Sequence, residues 1–193
     1  MTYSTKRPKP QKPYPDFPLF PHAMGVNCGF GNADCGTLAL EALDLEAGWI
    51  HFPRPKTGID RRCPLWPETM AALREALAVR PKAKEPRAER LVFVTQRGAS
   101  WSKDIADNPI AKSFAKLVEA LGLQCKGRGF YALRHVFETI GGESRDQVAV
   151  DFIMGHSRED MASVYRERIS NERLRAVAEH VRRWLSGGET VQC

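Results

Sequence analysis

The stretch from Tyr131 to Tyr165 places an arginine, two histidines and a tyrosine at spacings that chemistry can use. Arg134 and His135 stand side by side in Ala132-Leu133-Arg134-His135, Gly155-His156 follows Met154, and Tyr165 lies nine residues past His156. An arginine inside an apolar run needs a partner, because an unpaired buried charge is costly. Far upstream, Lys56 sits in the turn-like run Pro55-Lys56-Thr57-Gly58. Phosphoryl transfer gives these residues a common purpose. A tyrosine hydroxyl can open a phosphodiester and hold it as a covalent ester, which conserves the energy of the bond. The phenol pKa of ~10 means that it needs help near neutral pH. Guanidinium forks and an imidazole supply donors for the extra negative charge of the transition state. A lysine on a hairpin tip can give the departing sugar oxygen its proton. This scheme calls for no metal.

Each residue also has a plain structural use. Tyr165 would serve as a helix-surface tyrosine, and His156 as a helix C-terminal residue favoured by the macrodipole. Arg134 would pair with Glu138 one turn on. Lys56 would be a turn lysine, and His135 a satisfied core histidine. Joint order and spacing set Arg134, His156, Tyr165 and Lys56 apart from these uses.

The elements that must position them are mostly helical. Pro67-Glu68-Thr69 opens a helix to about Val79 with Met70, Leu73 and Leu77 as its stripe. Asn108-Pro109 starts another, with Ile110, Phe114, Leu117, Val118 and Leu121 on one face and Gly122 as its stop. Phe130–Ile140 carries Arg134 and should end at Gly141-Gly142, and Asp146–Met154 should end at Gly155. A short helix from about Arg158 carries Tyr165. Asn171–Leu185 is a last amphipathic helix, burying Leu174, Val177, Ala178, Val181 and Leu185. Trp49–Arg54 and Asp60–Leu65 pair as a hairpin with Lys56 at its tip, and its prolines assign it to a sheet edge. Leu91–Val94 reads as a short strand. Between Met24 and Leu45, Gly25, Gly29, Gly31 and Gly36 break the pattern. Only Thr37–Leu45 reads as helix there, and no helix is expected ahead of Gly29. The fold class is α+β, mainly α-helical with a small antiparallel β-sheet.

The 193 residues fit one domain with a tail. Six prolines among the first 21 residues, with Lys6, Arg7, Lys9 and Lys12, mark an extended basic leader. The division is therefore a tail at 1–23 and a folded part at 24–193. A net charge of +6 suits a polyanionic partner. Arg80, Lys82, Lys84, Arg87, Arg90, Arg97 and Lys103 cluster against only Glu85 and Glu89. That run is either a solvated loop or a surface for phosphates. No stretch approaches the ~18–20 apolar residues of a membrane span, and no secretory signal is visible. The expected compartment is the cytoplasm, with no membrane partner. Cys28, Cys35, Cys63, Cys125 and Cys193 lack metal-ligand spacing and read as free thiols, so no metal or cofactor is expected.

The string FYALRHVFETIGGESRDQVAVDFIMGHSREDMASVY resembles the signature of the tyrosine recombinase (phage integrase) family. That signature runs roughly H-x-L-R-H, then L-G-H, then a tyrosine nine residues beyond. PKTGIDRRCPLWPE is similar to the family hairpin, and the likeness extends from about Gly25 to Leu185. The resemblance implies a catalytic domain that binds double-stranded DNA, assembles as a homo-oligomer on it and takes no small-molecule ligand. It implies strand breakage and rejoining through a covalent phosphotyrosine. Tyr165 would be the nucleophile, with Arg134 and His156 on the phosphate and Lys56 as the acid. Tyr131 stands where the box has its first histidine, as an accessory residue. Arg54, Arg61, Arg62 and Arg158 would contact DNA.

This sequence departs from the family pattern at Gly29-Phe30-Gly31-Asn32-Ala33-Asp34, where the family has G-L-R-x-x-E and Gly31 replaces the arginine. Losing one preorganised donor lowers a rate by ~10²–10³-fold. The alternative is thus a catalytically weak or inactive DNA-binding remnant of an integrase, unless Arg54, Arg61 or Arg62 reaches the phosphate instead. The residues ahead of Met24 are too few for the separate helical domain that family members carry there, so a shortened relative is expected.

Overall fold

The computed structural model describes residues 20–101, 108–156 and 169–187. The leader up to residue 19, Lys103, Arg158, Cys193 and the helix expected around Tyr165 lie outside the described residues. In chain order the helices are α1 (Phe20–Cys28), α2 (Asn32–Thr37), α3 (Pro67–Ala78), α4 (Pro86–Glu89), α5 (Pro109–Ala120), α6 (Ala132–Glu143), α7 (Gln147–Met154) and α8 (Asn171–Ser186). Between α2 and α3 come a 3-10 turn at Leu40–Ala42 and strands β1 (Leu43–Asp44), β2 (Trp49–His51) and β3 (Arg62–Pro64). The strands form one antiparallel sheet in the order β1-β2-β3. The fold is α+β, mainly helical.

Local chemistry sets most helix ends. Proline opens α3, and the Asn108 side chain accepts hydrogen bonds from the backbone N–H groups of Ile110 and Ala111 at the start of α5. Asp146 caps α7 through Ala149 N, and Ser170 caps α8 through Arg173 N. Gly155 ends α7 at φ +64°, a conformation that costs other residues a Cβ clash.

α1 corrects the expectation that no helix precedes Gly29, and it crosses the boundary drawn at residue 24. Met24, Asn27 and Cys28 are fully buried, so α1 lacks the polar face that would reveal its period. It packs against α3, α6, α8 and β3, at the centre of the core. Thr37–Leu45 is not one helix. Leu38 O accepts from Val92 N at 2.8 Å and Leu40 N donates to Arg90 O at 2.7 Å, and these cross-chain bonds replace the i→i−4 ladder. Leu91–Val94 is largely buried but makes only isolated bridges, to Ala39 and Ser100.

Gly141 and Gly142 continue α6 instead of ending it. A Cβ on Gly141 would lie 3.3 Å from Val150 Cγ2 and 3.6 Å from Val177 Cγ1, so the glycine brings α6 close to α7 and α8. Leu185 is exposed, and Trp184 packs on the core in its place. The hairpin has a neighbour on its first arm, because β2 pairs with β1 (Leu43 opposite Ile50) as well as β3 (Ile50 opposite Cys63). β1 and β3 are the edge strands. Beyond the strands, Phe52 N donates to Arg61 O and Arg54 N to Ile59 O, carrying the pairing out to the tip.

Two buried side chains, Asn27 and Trp66, lock these parts together. Asn27 donates to Pro64 O at 3.0 Å and accepts from Trp66 N at 2.9 Å, tying α1 to the end of β3. Trp66 Nε1 donates to Ala178 O of α8 at 3.0 Å.

Candidate active site

Arg134 projects from the first turn of α6 into the core and is 2% exposed. Among the described residues its guanidinium meets no carboxylate. Nη1 donates to Gly29 O and Nη2 to Met154 O at 2.9 Å. These carbonyls belong to the C-terminal ends of α1 and α7, each closed by a left-handed glycine. Helix C-termini carry partial negative charge, so two of them stabilise a cation where an acid would cancel it. Burial, and then the nearby charge of Arg54, lowers the pKa of Arg134 from its ordinary value.

Arg134 Nη2 also lies 2.8 Å from His156 Nε2. A guanidinium only donates, so Nε2 accepts and the imidazole proton sits on Nδ1. Nδ1 faces the carboxylates of Asp151 at 3.6 Å and Glu138 at 4.0 Å. Burial and the adjacent Arg134 lower the His156 pKa, with Glu138 and Asp151 opposing. The outcome is a neutral imidazole beside a permanent cation. Glu138 thus faces His156 and not Arg134. His135 is exposed, with its ring edge-on to Tyr131, so it is not a core histidine.

The turn at Gly155 joins this pair to the hairpin. Gly155 O accepts from Arg54 Nη1 at 3.3 Å and from Thr57 Oγ1 at 3.4 Å. Arg54 Cβ stands only 2.9 Å from where a Gly155 Cβ would be. Lys56 lies between these two anchors, exposed at the tip. Arg61 is buried in a separate pair: it donates to Asp34 Oδ1 at 2.6 Å and to Phe52 O at 2.7 Å, and stacks 4.2 Å above the Phe30 ring. Arg62 lies 4.6 Å over the Trp49 ring. Gly31 N donates to Asp34 Oδ2, and a Cβ on Gly31 would lie 3.3 Å from Tyr131 Cε2, so the half-exposed Tyr131 ring borders the missing side chain.

Arg134, His156, Arg54 and the Lys56 tip therefore share one neighbourhood. Arg61 is spent on structure. Tyr165 and Arg158 lie outside the described residues. Asp34, Thr57 and the carbonyl of Gly29 are site-shaping groups that the motif reading did not single out. The acidic residue three places after Gly31 was the available signal for Asp34. Nothing in a sequence marks a carbonyl. Among the described residues no group of His, Cys, Asp and Glu is placed to hold a metal ion.

The family model for the phage integrase family matches residues 23–172. The Tn1549 transposon integrase in complex with a circular intermediate DNA is similar at TM-score 0.60 and 21% identity, over 83% of this chain and 57% of that one. XerH site-specific recombinase bound to palindromic difH substrate is similar at TM-score 0.59 and 19% identity, over 85% and 45%. XerA recombinase is similar at TM-score 0.55 and 19% identity, over 91% and 67%. The chain thus spans about half the length of the first two. A search of curated proteins found no match. These structures speak for a shared fold, and the family match covers most of the chain: this protein belongs to the phage integrase family.

Proposed function

We propose that this chain is the strand-transferring domain of a site-specific DNA recombinase, acting on duplex DNA in the cytoplasm through a covalent phosphotyrosine at Tyr165. The observation that carries this reading is the buried Arg134 guanidinium, held by two helix-end carbonyls and touching His156, with no neutralising acid among the described residues. A fixed cation in a desolvated site is a preorganised partner for phosphate charge. A phosphate entering there favours the protonated imidazole, which turns His156 into a donor. Tyr165 Oη gives up its proton to solvent and attacks phosphorus, the bond from phosphorus to the departing sugar oxygen breaks, and Lys56 gives that oxygen its proton. Arg158 is assigned to a flanking phosphate, and several copies assemble on the DNA. DNA-bound relatives among the similar structures support a DNA partner. Among the described residues no helix is long and apolar enough to cross a membrane.

Gly31 favours a second reading, a DNA-binding remnant that no longer cleaves. Incubation with nicked suicide DNA duplexes separates the two. The recombinase reading expects a denaturation-resistant protein–DNA complex that Arg134→Lys, which keeps the charge and loses the fork, reduces by ~10²-fold or more. DNA binding without any such complex selects the remnant.

A further inference from the structure

We infer that Arg54 and Arg134 together form a two-guanidinium seat for a phosphodiester, with Arg54 supplying from the hairpin the charged donor that Gly31 cannot. This deepens the proposed function, since the phosphate meant is the one Tyr165 attacks. The first ground is charge. Among the described residues neither guanidinium has a carboxylate partner; Arg134 bonds two carbonyls and a neutral imidazole, and Arg54 bonds the Gly155 carbonyl. Two like charges brought together without an acid repel, and Arg54 in fact disfavours the charged forms of both Arg134 and His156. An anion between them removes that repulsion, so the folded protein is biased toward binding one.

The second ground is the mounting of Arg54. Its backbone N–H bonds Ile59 O, its carbonyl accepts from Thr57 and Gly58, and its stem packs on the Gly155 turn. The side chain is half-buried, and among the described residues it bonds only Gly155 O, through Nη1, leaving the other donors of its fork for a ligand. The third ground is elimination. Arg61 is fixed to Asp34 and Phe52 O, and its remaining amine, Nη1, is shut away from solvent. Arg62, next to it on the same strand, points to the opposite face, where it covers Trp49.

The test follows the His156 imidazole by NMR while inorganic phosphate is added to the intact chain. The unmodified protein is expected to bind phosphate and shift this resonance. Arg54→Ala should weaken binding about 10- to 100-fold, the scale of a charge-assisted hydrogen bond. Arg54→Lys should fall between the two, and Arg74→Ala on α3 should bind like the unmodified chain. The spectra themselves report whether each variant is folded. Unchanged phosphate affinity in Arg54→Ala overturns the inference, as does an unmodified chain that binds no phosphate. The suicide-DNA assay keeps the two ideas apart. Arg54-dependent phosphate binding with no covalent complex would refute the recombinase function and leave the seat standing. A covalent complex forming equally fast in Arg54→Ala, with unchanged phosphate affinity, would do the reverse.

Discussion

Removing the Arg134 guanidinium would strand the carbonyl oxygens of Gly29 and Met154 inside the protein. Each orphaned acceptor costs about 1–3 kcal/mol, so Arg134→Ala should lower unfolding free energy by about 2–6 kcal/mol in urea titrations. A loss within error of zero would mean that the pair is not held as described. His156 gives a pH signature. Its folded pKa lies below its ordinary value of 6.5, through burial first and Arg134 second. The unfolded chain therefore takes up a proton before the folded one does. The contribution of His156 to stability is full above the unfolded value and declines as pH falls from there toward the folded pKa. An NMR titration should place His156 below 6.5, and Arg54→Ala should move it upward; a value at or above 6.5 in the unmodified protein would contradict this. At this scale the sequence was informative about identity and silent about partners. Arg134 and His156 stand out by spacing, but the acceptors that hold Arg134 are backbone atoms, and Glu138 proved to face the histidine.

The Gly155 turn is the element on which hairpin, α7 and His156 meet. Gly58, at the hairpin tip, shares its positive φ but has open space around it. Gly155→Ala adds a clash with Arg54 Cβ at 2.9 Å to the same backbone strain. Gly58→Ala should cost about 1 kcal/mol and Gly155→Ala at least about 1 kcal/mol more, measured by denaturant unfolding. Equal costs would mean that the hairpin does not rest on this turn. Elements with chemical punctuation are legible in the sequence: Pro67, Asn108, Asp146 and Gly155 each mark a helix end that formed there. α1 is not, because a helix buried all round carries no periodicity. Gly141-Gly142 misled for a related reason. Glycine in a helix can serve close packing as well as termination, and only the neighbours Val150 and Val177 decide between them.

Across the whole molecule, a net charge of +6 acquires meaning from its arrangement. Within the basic run, Arg80 bonds the carbonyls of Ala88, Glu89 and Leu91, while Arg87 and Arg90 pair with Glu85 and Glu41. Lys82, Lys84 and Arg97 are exposed. DNA affinity should fall steeply with salt, and replacing these three by alanine should flatten the log–log slope by about 0.9 for each phosphate contact removed. Arg90→Ala should change it less, and an unaltered slope in the triple variant would exclude this surface from the interface. The overall class, helical with a small antiparallel sheet, was readable because periodicity survives in the outer helices. The central position of α1 was not. Strand transfer through Tyr165 remains the central claim, and peptide mapping of the covalent complex formed on nicked suicide DNA tests it most directly. The mapping should find a nucleotide joined through phosphate to the Tyr165 peptide, and Tyr165→Phe should form no complex. A nucleotide on another residue, or a complex that survives Tyr165→Phe, would contradict the claim.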